Sequence, residues 1–346
     1  MPTSPKALAF LGSMERIEDT LQQVERSLRD QLSSESELVG SIGEHVLGSG
    51  GKRVRPALLI LTAELCGYTG PRRVHMAAAV ELLHTATLLH DDVIDLATTR
   101  RGQAAANAIW GNRRAVLMGD FLLARASTMI VEDGDLDILW IFSDTIRGMA
   151  EGEILQMQRS FDAGVSESHY FEVIDRKSAV LLAAACHAGA ILAGVTRAER
   201  RRIADFGREV GLAFQLRDDA LDYSAGVEEL GKRPHTDVRE GKVTLPLLLT
   251  LKRCAPAERE VVTSLLKTAA RRASDPAGSQ SPEETLSHVE LKPLLDLVAR
   301  YRGVEDTVRR AREHADRAAR ELAPFPDGPS KEALLQAAEF AVARAG

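Results

Sequence analysis

Three aspartates stand within five positions in the segment LLHDDVIDLATTRRG, residues 88–102, and an Arg pair follows them. On a helix, Asp91 and Asp95 would project from one face about one turn apart, so their like charges would repel each other. Divalent cations would compensate this repulsion. The pattern favours Mg²⁺, which binds carboxylates together with water and the oxygens of a phosphorylated ligand.

The same acidic pattern occurs a second time, in the segment FQLRDDALDY, also at the end of an apolar helical stretch. A single cluster would more often be an exposed acidic helix end. Two copies predict an oxygen-rich cage formed where two helix ends face each other. The candidate metal ligands are Asp91, Asp92, Asp95, Asp218, Asp219 and Asp222.

Basic residues accompany the acidic clusters. One group lies in and after a glycine loop at a helix start, where backbone N–H groups and the helix dipole favour anions. Any one of these residues could be a solvated surface charge. Together they predict a substrate with two diphosphate groups, one held through metal and one held directly by Arg and Lys. The residues are Lys52, Arg53, Arg55, Arg100, Arg101, Lys232 and Lys242.

The elements that would position these residues are helices. Ala and Leu recur throughout and aromatic residues make up only 4% of the chain, which favours an all-α fold. We predict one all-helical domain, 1–346, with an N-terminal helix region at 1–30 and a polar surface loop insertion at 267–285. The predicted helices cover 14–31, 74–96, 112–131, 136–159, 170–194, 197–223 and 245–254, and a further one starts near 54.

Composition excludes several classes of protein. The net charge of -6 argues against a nucleic-acid binder, which would need a basic face. Cys66, Cys186 and Cys254 are far apart and form no CxxC pair, which indicates neither a disulfide framework nor a zinc site and fits a reducing, cytoplasmic setting. Residues 179–195 lack formal charges but are too short and too rich in Ala and Gly for a membrane span, so we predict a buried helix there.

The chain resembles the trans-isoprenyl diphosphate synthases, the polyprenyl synthetase family. Six segments stand in that family's order and spacing: GGKRVRP, ELLHTATLLHDDVIDLATTRRG, ANAIWGNRRAVLMGDFLLARA, EGEILQ, FQLRDDALDY and EGKVTLPLL. The resemblance runs from about residue 30 to the C-terminus. It implies a helical bundle around a deep cavity, usually a homodimer, that adds isopentenyl diphosphate head-to-tail to an allylic diphosphate with about three Mg²⁺ per active site. The product could be delivered to a membrane.

The resemblance also assigns roles by position. It makes Asp91, Asp95, Asp218 and Asp222 the Mg²⁺ ligands, while Asp92 and Asp219 often act from behind them. The positions that match the isopentenyl diphosphate site are Lys52, Arg55, His84 and Arg101. Those that match the allylic side are Arg100, Lys177, Ser178, Gln215 and Lys232, with Lys242 nearby. Among these, Arg100, Lys177 and Lys232 would stabilise the departing diphosphate.

Two histidines and one departure from the family pattern bear on these assignments. His84 on its own would more often be a core histidine, and His90 beside the aspartates could simply pack. In GKRPHTD, His235 stands where the family usually has Gly. A missing glycine could restrain the loop that lets Lys232 close over the diphosphate.

Product length depends on the cavity below the first aspartates. Ala86, five residues before Asp91, occupies a position at which short-chain members of the family often carry Phe or Tyr. Each preceding helical turn adds about 5.4 Å, close to one extended isoprenyl unit, so an open path predicts a long product, heptaprenyl to decaprenyl. Geranylgeranyl diphosphate is the main competing product. The residues along these turns are Leu82, Leu83, Ala79 and Ala78, and a neighbouring helix offers Met129, Trp140 and Phe142 as alternative floors.

Three rival classes share some of these features. A class I terpene cyclase also uses a DDxxD helix, but its second metal site typically mixes Asn, Ser and Glu. An HD-type phosphohydrolase is suggested by the adjacent His90 and Asp91, yet the remaining histidines do not lie beside a second acidic helix motif. A non-catalytic partner subunit would generally lose one aspartate motif, and both are present here.

Overall fold

The structure is a computed structural model that describes residues 10, 12–48, 50–224, 235–273 and 285–343. Helices make up almost all of the regular structure in these ranges, which confirms the all-α prediction. The first half contains a 3-10 turn at Glu15–Ile17 and helices α1 Glu18–Asp30, α2 Glu37–Gly48, α3 Val54–Leu65, α4 Arg72–Ile94, α5 Ala106–Trp110, α6 Asn112–Asp133 and α7 Leu136–Gln158. The second half contains α8 Glu167–Ile174, a π-helical turn at Asp175–Ala179, α9 Val180–Leu192, α10 Arg197–Ser224, α11 Thr236–Arg239, α12 Leu245–Arg253, α13 Pro256–Ala273, α14 His288–Arg300, α15 Gly303–Glu321 and α16 Pro329–Ala343.

The centre of the fold is built from α3, α4, α9 and α10. Ten of the 13 residues of α9 are buried, so the uncharged segment is the core helix that its sequence predicts. Small residues let these helices approach closely. A Cβ on Gly189 of α9 would lie 2.6 Å from the carbonyl oxygen of Leu59 on α3, which leaves no space for a larger side chain. Within the described ranges, no helix is both long and apolar enough to cross a membrane.

Two predicted elements differ from the observed ones. The predicted helix 170–194 is interrupted by the π-helical turn Asp175–Ala179, in which one backbone turn is widened. The predicted loop 267–285 begins later than expected, because α13 continues to Ala273 and residues 274–284 lie outside the described ranges.

A two-stranded ribbon follows α4 and carries the Arg pair. Strand β1, Thr99–Arg100, pairs antiparallel with β2, Gln103–Ala104. The two residues between the strands, Arg101 and Gly102, have φ angles of 52° and 78°. Left-handed backbone at both positions is what a two-residue hairpin requires, so the tight turn points Arg100 and Arg101 in fixed directions.

Candidate active site

The C-terminal ends of α4 and α10 meet at a cavity of about 210 Å³, which we call the acidic cavity. Asp91 and Asp95 come from the end of α4, and Asp219 comes from α10. The two predicted acidic helix ends therefore share one cavity. The predicted site residues that line it are Asp91, Asp95, Lys177, Ser178, Gln215, Asp219 and Lys242.

The carboxyl group of Asp91 is largely desolvated. Burial raises the pKa of Asp91, Lys177 opposes this effect, and the nearby Glu153 and Asp95 add to it. A cation next to Asp91 would favour its ionised form. The surroundings of this carboxylate thus suit a bound positive charge.

Lysine side chains already contact carboxylates in the acidic cavity. The Lys242 ammonium donates to Asp95 Oδ2 at 3.1 Å and to Glu240 Oε2 at 2.6 Å. Burial alone would lower the pKa of Lys242, but Glu240 and Asp95 raise it well above its usual value. Lys177 forms an ion pair with Glu153. Both lysines therefore lie beside the aspartates in ion pairs. A bound diphosphate could replace the carboxylates that now contact them.

The aspartates of the second acidic cluster have different hydrogen-bond partners. Asp219 is buried and accepts hydrogen bonds from the Tyr170 hydroxyl at 2.5 Å and from Gln215 Nε2 at 2.8 Å. Burial raises the pKa of Asp219 to about 7, and Asp237 adds to the shift. Asp222 is also buried, and its carboxylate accepts the backbone N–H groups of Thr236 and Asp237, both at 3.1 Å.

Asp219 is consequently the member of the second cluster that faces the acidic cavity. Asp218 is half-buried and Asp222 is tied to the start of α11, and neither lines this cavity. In the described ranges, no three His, Cys, Asp or Glu side chains are grouped tightly enough to hold a metal on protein atoms alone. The carboxylate donors nevertheless fit Mg²⁺, which completes its shell with water and phosphate oxygens.

Asp92 and Arg100 form a separate pair beside this cavity. Asp92 is buried, and Arg100 Nε donates to its Oδ1 at 2.6 Å. Asn107 Nδ2 also donates to the backbone oxygen of Asp92 at 3.1 Å. The predicted allylic-side residue Arg100 therefore holds the end of α4 in this structure and does not line the acidic cavity.

A second cavity, of about 380 Å³, contains all four predicted isopentenyl-site residues, and we call it the basic cavity. Lys52 and Arg55 reach it from the start of α3, His84 from α4, and Arg101 from the hairpin. Burial and the neighbouring Arg55 and Arg101 lower the pKa of His84 well below its usual value, so the imidazole is neutral at pH 7. The net effect is a cationic cavity suited to an anion.

Arg53, which the sequence groups with these cations, has a structural task. It adopts a left-handed backbone conformation with φ 44°. Its guanidinium contacts Glu25 Oε1 at 2.5 Å, Glu81 Oε1 at 2.9 Å and the carbonyl oxygen of Leu47 at 3.0 Å. Arg53 thus fastens the glycine loop to α1 and α4, and this leaves Lys52 and Arg55 to face a ligand.

The two cavities lie on the same pair of helices. On α4, His84 and Asp91 are seven residues apart, or about 10 Å along the axis. On α10, Phe214 lines the basic cavity and the adjacent Gln215 lines the acidic one. Two anionic groups could therefore be held side by side in a fixed relation.

The π-helical turn places Lys177 and Ser178 at the acidic cavity, and two glycines make room for it. A Cβ on Gly152 of α7 would lie 2.8 Å from the backbone nitrogen of Lys177. A Cβ on Gly211 of α10 would lie 2.6 Å from the Cα of Ala179. The widened turn is thus enclosed from both sides by backbone without side chains.

Sequence reasoning missed several residues of the acidic cavity and its surroundings. Tyr170 and Asp237 line the cavity, while Glu153 and Glu240 pair with its two lysines. Glu153 stands inside the motif EGEILQ and Glu240 inside EGKVTLPLL, so these motifs were a usable signal. Tyr170 has no such signal, since its hydroxyl meets Asp219, 49 positions away in sequence, only in the folded chain.

The loop predicted to close over the site is described in part. Lys232 lies outside the described residues. His235 has φ 63°, a left-handed conformation that glycine adopts without strain. Its N–H donates to the Asp222 carbonyl at 3.0 Å, and its ring stacks on His288. These contacts hold His235 in place, and its effect on loop closure stays a prediction.

The predicted product-length residues lie in the core. All five candidates on α4 are buried, as are two of the alternative floor residues; they are Ala78, Ala79, Leu82, Leu83, Ala86, Met129 and Phe142. Trp140, the remaining floor candidate, is 70% exposed on α7, so it cannot close an interior tunnel of a single chain.

His90, the neighbour of Asp91, packs against α6. Its Nε2 lies 3.2 Å from the carbonyl oxygen of Val116.

Comparisons with known proteins identify the family of this chain. Residues 36–277 match the family model described as Polyprenyl synthetase. The chain is 39% identical to octaprenyl diphosphate synthase of Escherichia coli (strain K12), over 96% of this chain and 99% of that protein. It is 35% identical to the all-trans-nonaprenyl-diphosphate synthase (geranyl-diphosphate specific) of Rhodobacter capsulatus, over 93% and 94%.

A solved structure is similar throughout. The polyprenyl synthase of Caulobacter crescentus CB15, complexed with calcium and isoprenyl diphosphate, superimposes with a TM-score of 0.88 at 40% identity, over 96% of this chain and 97% of that one. Similarity of this extent covers both cavities and every described helix that carries them. The chain belongs to the polyprenyl synthetase family of trans-prenyltransferases.

Proposed function

We propose that this enzyme condenses isopentenyl diphosphate with an allylic diphosphate and releases diphosphate. The observation that carries the proposal is the pair of cavities on α4 and α10, one lined by aspartates with lysines and one in which Lys52, Arg53, Arg55 and Arg101 outnumber the single carboxylate, Glu81. An allylic diphosphate would bind in the acidic cavity and isopentenyl diphosphate in the basic cavity. A class I cyclase, which has a single substrate diphosphate, would not need the basic cavity.

Asp91 and Asp95, together with the second acidic cluster, would hold Mg²⁺, about three ions per site. Bound Mg²⁺ supplies positive charge against the departing diphosphate. The presence of calcium and isoprenyl diphosphate in the related Caulobacter protein supports a hard cation at such a site. Asp219 faces the cavity and Asp218 does not line it, so we include Asp219 among the residues that act on the cation, directly or through water.

The chain's own residues orient the reactants and stabilise charge. Lys177 and Lys242 bind the allylic diphosphate while its C–O bond breaks. The family resemblance assigns the same role to Lys232 and to Arg100, and Arg100 would have to leave its contact with Asp92 to reach the diphosphate. The basic cavity orients the isopentenyl double bond, which forms the new C–C bond with the allylic carbon. A proton then leaves the intermediate, and the released diphosphate is the proposed acceptor. Apolar walls keep out water, which would react with the allylic carbocation that forms when the C–O bond breaks.

We propose that the product is a long all-trans chain, heptaprenyl to decaprenyl. The small side chain of Ala86 below Asp91 supports this, because a bulky residue there would block growth. The long products named for the Escherichia coli and Rhodobacter relatives support it as well. Geranylgeranyl diphosphate is the second candidate product, favoured only if the buried leucines Leu82 and Leu83 close the path.

We also propose a homodimer. An apolar face on α6 and α7 is exposed in the single chain, with Leu117 at 66%, Leu136 at 77% and Trp140 at 70% exposure. Exposed apolar side chains clustered on two neighbouring helices are typical of an interface. The enzyme would work in the cytoplasm, where its three free thiols are stable, and pass its product to a membrane.

The decisive experiment is a chain-elongation assay. Purified protein is incubated with Mg²⁺, farnesyl or geranylgeranyl diphosphate and labelled isopentenyl diphosphate, and product length is read by chromatography. We expect long products that disappear on chelation of the metal and in the Asp91→Asn variant. Failure to extend any primer would refute the condensation reaction, while a product that stops at geranylgeranyl would refute only the long-chain proposal.

A further inference from the structure

The C-terminal helix α16 contributes an aromatic ring to the basic cavity. Phe340 lines this cavity, although its side chain is only 1% exposed. Lys52 Nζ lies 4.8 Å from the centre of the Phe340 ring. This distance is within the range of a cation–π interaction, in which the electron-rich ring face attracts the ammonium.

The Phe340 ring is itself held from the opposite end of the chain. Its centroid lies 5.1 Å from that of Phe10, and the planes are inclined at 36°. Phe10 is fully buried. The ring is therefore packed against a second aromatic residue, and it also contacts Lys52 at the cavity.

Lys52 is a flexible residue of the cavity that such a surface would order. Its side chain has four rotatable bonds and is exposed, so binding an anion would cost it conformational entropy. The adjacent Arg53 is already fixed by Glu25 and Glu81. The Phe340 ring would reduce the number of positions that the Lys52 ammonium samples and hold it at the cavity.

We propose that Phe340 is a positioning residue that presents Lys52 to the diphosphate of the isopentenyl substrate. The inference rests on the proposed function, which assigns isopentenyl diphosphate to the basic cavity. It separates the two substrates, because Phe340 lines the basic cavity and does not line the acidic one.

The test is Phe340→Leu in the full chain, which keeps an apolar side chain and removes the ring face. We expect KM for isopentenyl diphosphate to rise about two- to fivefold, the size of a cation–π contact at a partly exposed site. KM for the allylic primer should not change. Phe340→Tyr keeps the ring and should keep the wild-type KM. The control is Phe206→Leu, which removes a fully buried ring of α10 outside both cavities and should leave both KM values unchanged.

A double-mutant cycle distinguishes positioning from general packing. If Phe340 acts through Lys52, then Phe340→Leu should have no further effect on KM for isopentenyl diphosphate in a Lys52→Met background. An equal rise in both backgrounds, or an unchanged KM in the single variant, would overturn the inference. If thermal melting shows that the Phe340→Leu variant is not folded, Phe340→Met is measured instead.

The proposed function and this inference fail in different ways. Wild-type protein that does not consume isopentenyl diphosphate would refute the function and remove the inference with it. Wild-type protein that elongates normally, with variants whose KM for isopentenyl diphosphate is unaffected, would refute the inference alone.

Discussion

Replacing Gly152 by Ala should displace the π-helical turn that carries Lys177. The new Cβ would lie 2.8 Å from the Lys177 backbone nitrogen and 2.9 Å from Arg176 Cβ. The first distance falls about 0.6 Å short of the 3.4 Å at which ordinary van der Waals contact begins. Because the nearest atom belongs to the backbone, a rotamer change cannot relieve the clash, and the turn or α7 must move.

The expected loss follows from that displacement. A misplacement of about 1 Å in catalytic geometry can cost about 100-fold, so a shift of about 0.6 Å should lower kcat/KM for the allylic substrate by about 10-fold or more. Overpacking should also cost about 1–3 kcal/mol in the free energy of unfolding. The better helix propensity of Ala would offset about 0.5–1 kcal/mol of this.

The same helix provides a matched control. Gly148 lies one turn before Gly152 on α7, and a Cβ there would meet no atom within 4 Å. Gly148→Ala should therefore leave kcat/KM unchanged and should not lower the unfolding midpoint in a denaturant titration. Wild-type kcat/KM and stability in Gly152→Ala would show that the turn moves freely, and the argument from close packing would then be wrong.

Three further predictions concern separate parts of the chain. Ala86→Phe should shorten the product in the elongation assay, and an unchanged length distribution would place the tunnel wall elsewhere. Ser287→Ala removes the capping box of α14, in which Ser287 Oγ accepts the Glu290 N–H, so the free energy of unfolding in denaturant should fall by about 1 kcal/mol with activity unchanged. Burial lowers the pKa of His84 in the folded chain, so below about pH 6.5 the unfolded chain binds a proton at this residue that the folded chain does not bind. The contribution of the neutral His84 side chain to stability is therefore present above about pH 6.5 and is lost as the pH falls below that value. His84→Asn should therefore weaken the loss of stability between pH 7.5 and 5.5, and identical denaturant titrations for both proteins would contradict this.

The helical class and the basic cavity could be predicted because their signals are strong and local. Ala-rich and Leu-rich periodic segments specify long helices, and α4 is found within two residues of its predicted ends. Lys52, Arg55, His84 and Arg101 are spread over 50 positions, yet they line one cavity as the family resemblance implies. Composition alone would not have brought them together, since the hairpin turn at Arg101 depends on two left-handed residues.

The π-helical turn could not be predicted because its cause lies in other helices. Residues 170–194 have the composition of one continuous helix. The widened turn at Asp175–Ala179 fits between Gly152 on α7 and Gly211 on α10, which are distant in sequence. A pattern within one segment carries no information about space that two other segments leave free.

The sequence also could not predict which aspartate of the second acidic cluster faces the acidic cavity. Spacing of four residues places Asp218 and Asp222 on a common face of α10, but it does not say which way that face points. The rotation of α10 is set by its packing against α9 and α15, and it turns Asp219 toward Tyr170 and the acidic cavity. Asp222 meets the backbone N–H groups of α11 instead. Two clusters with the same spacing can thus present different members to one cavity, because spacing determines relative positions on a helix while tertiary packing determines which of them faces the ligand.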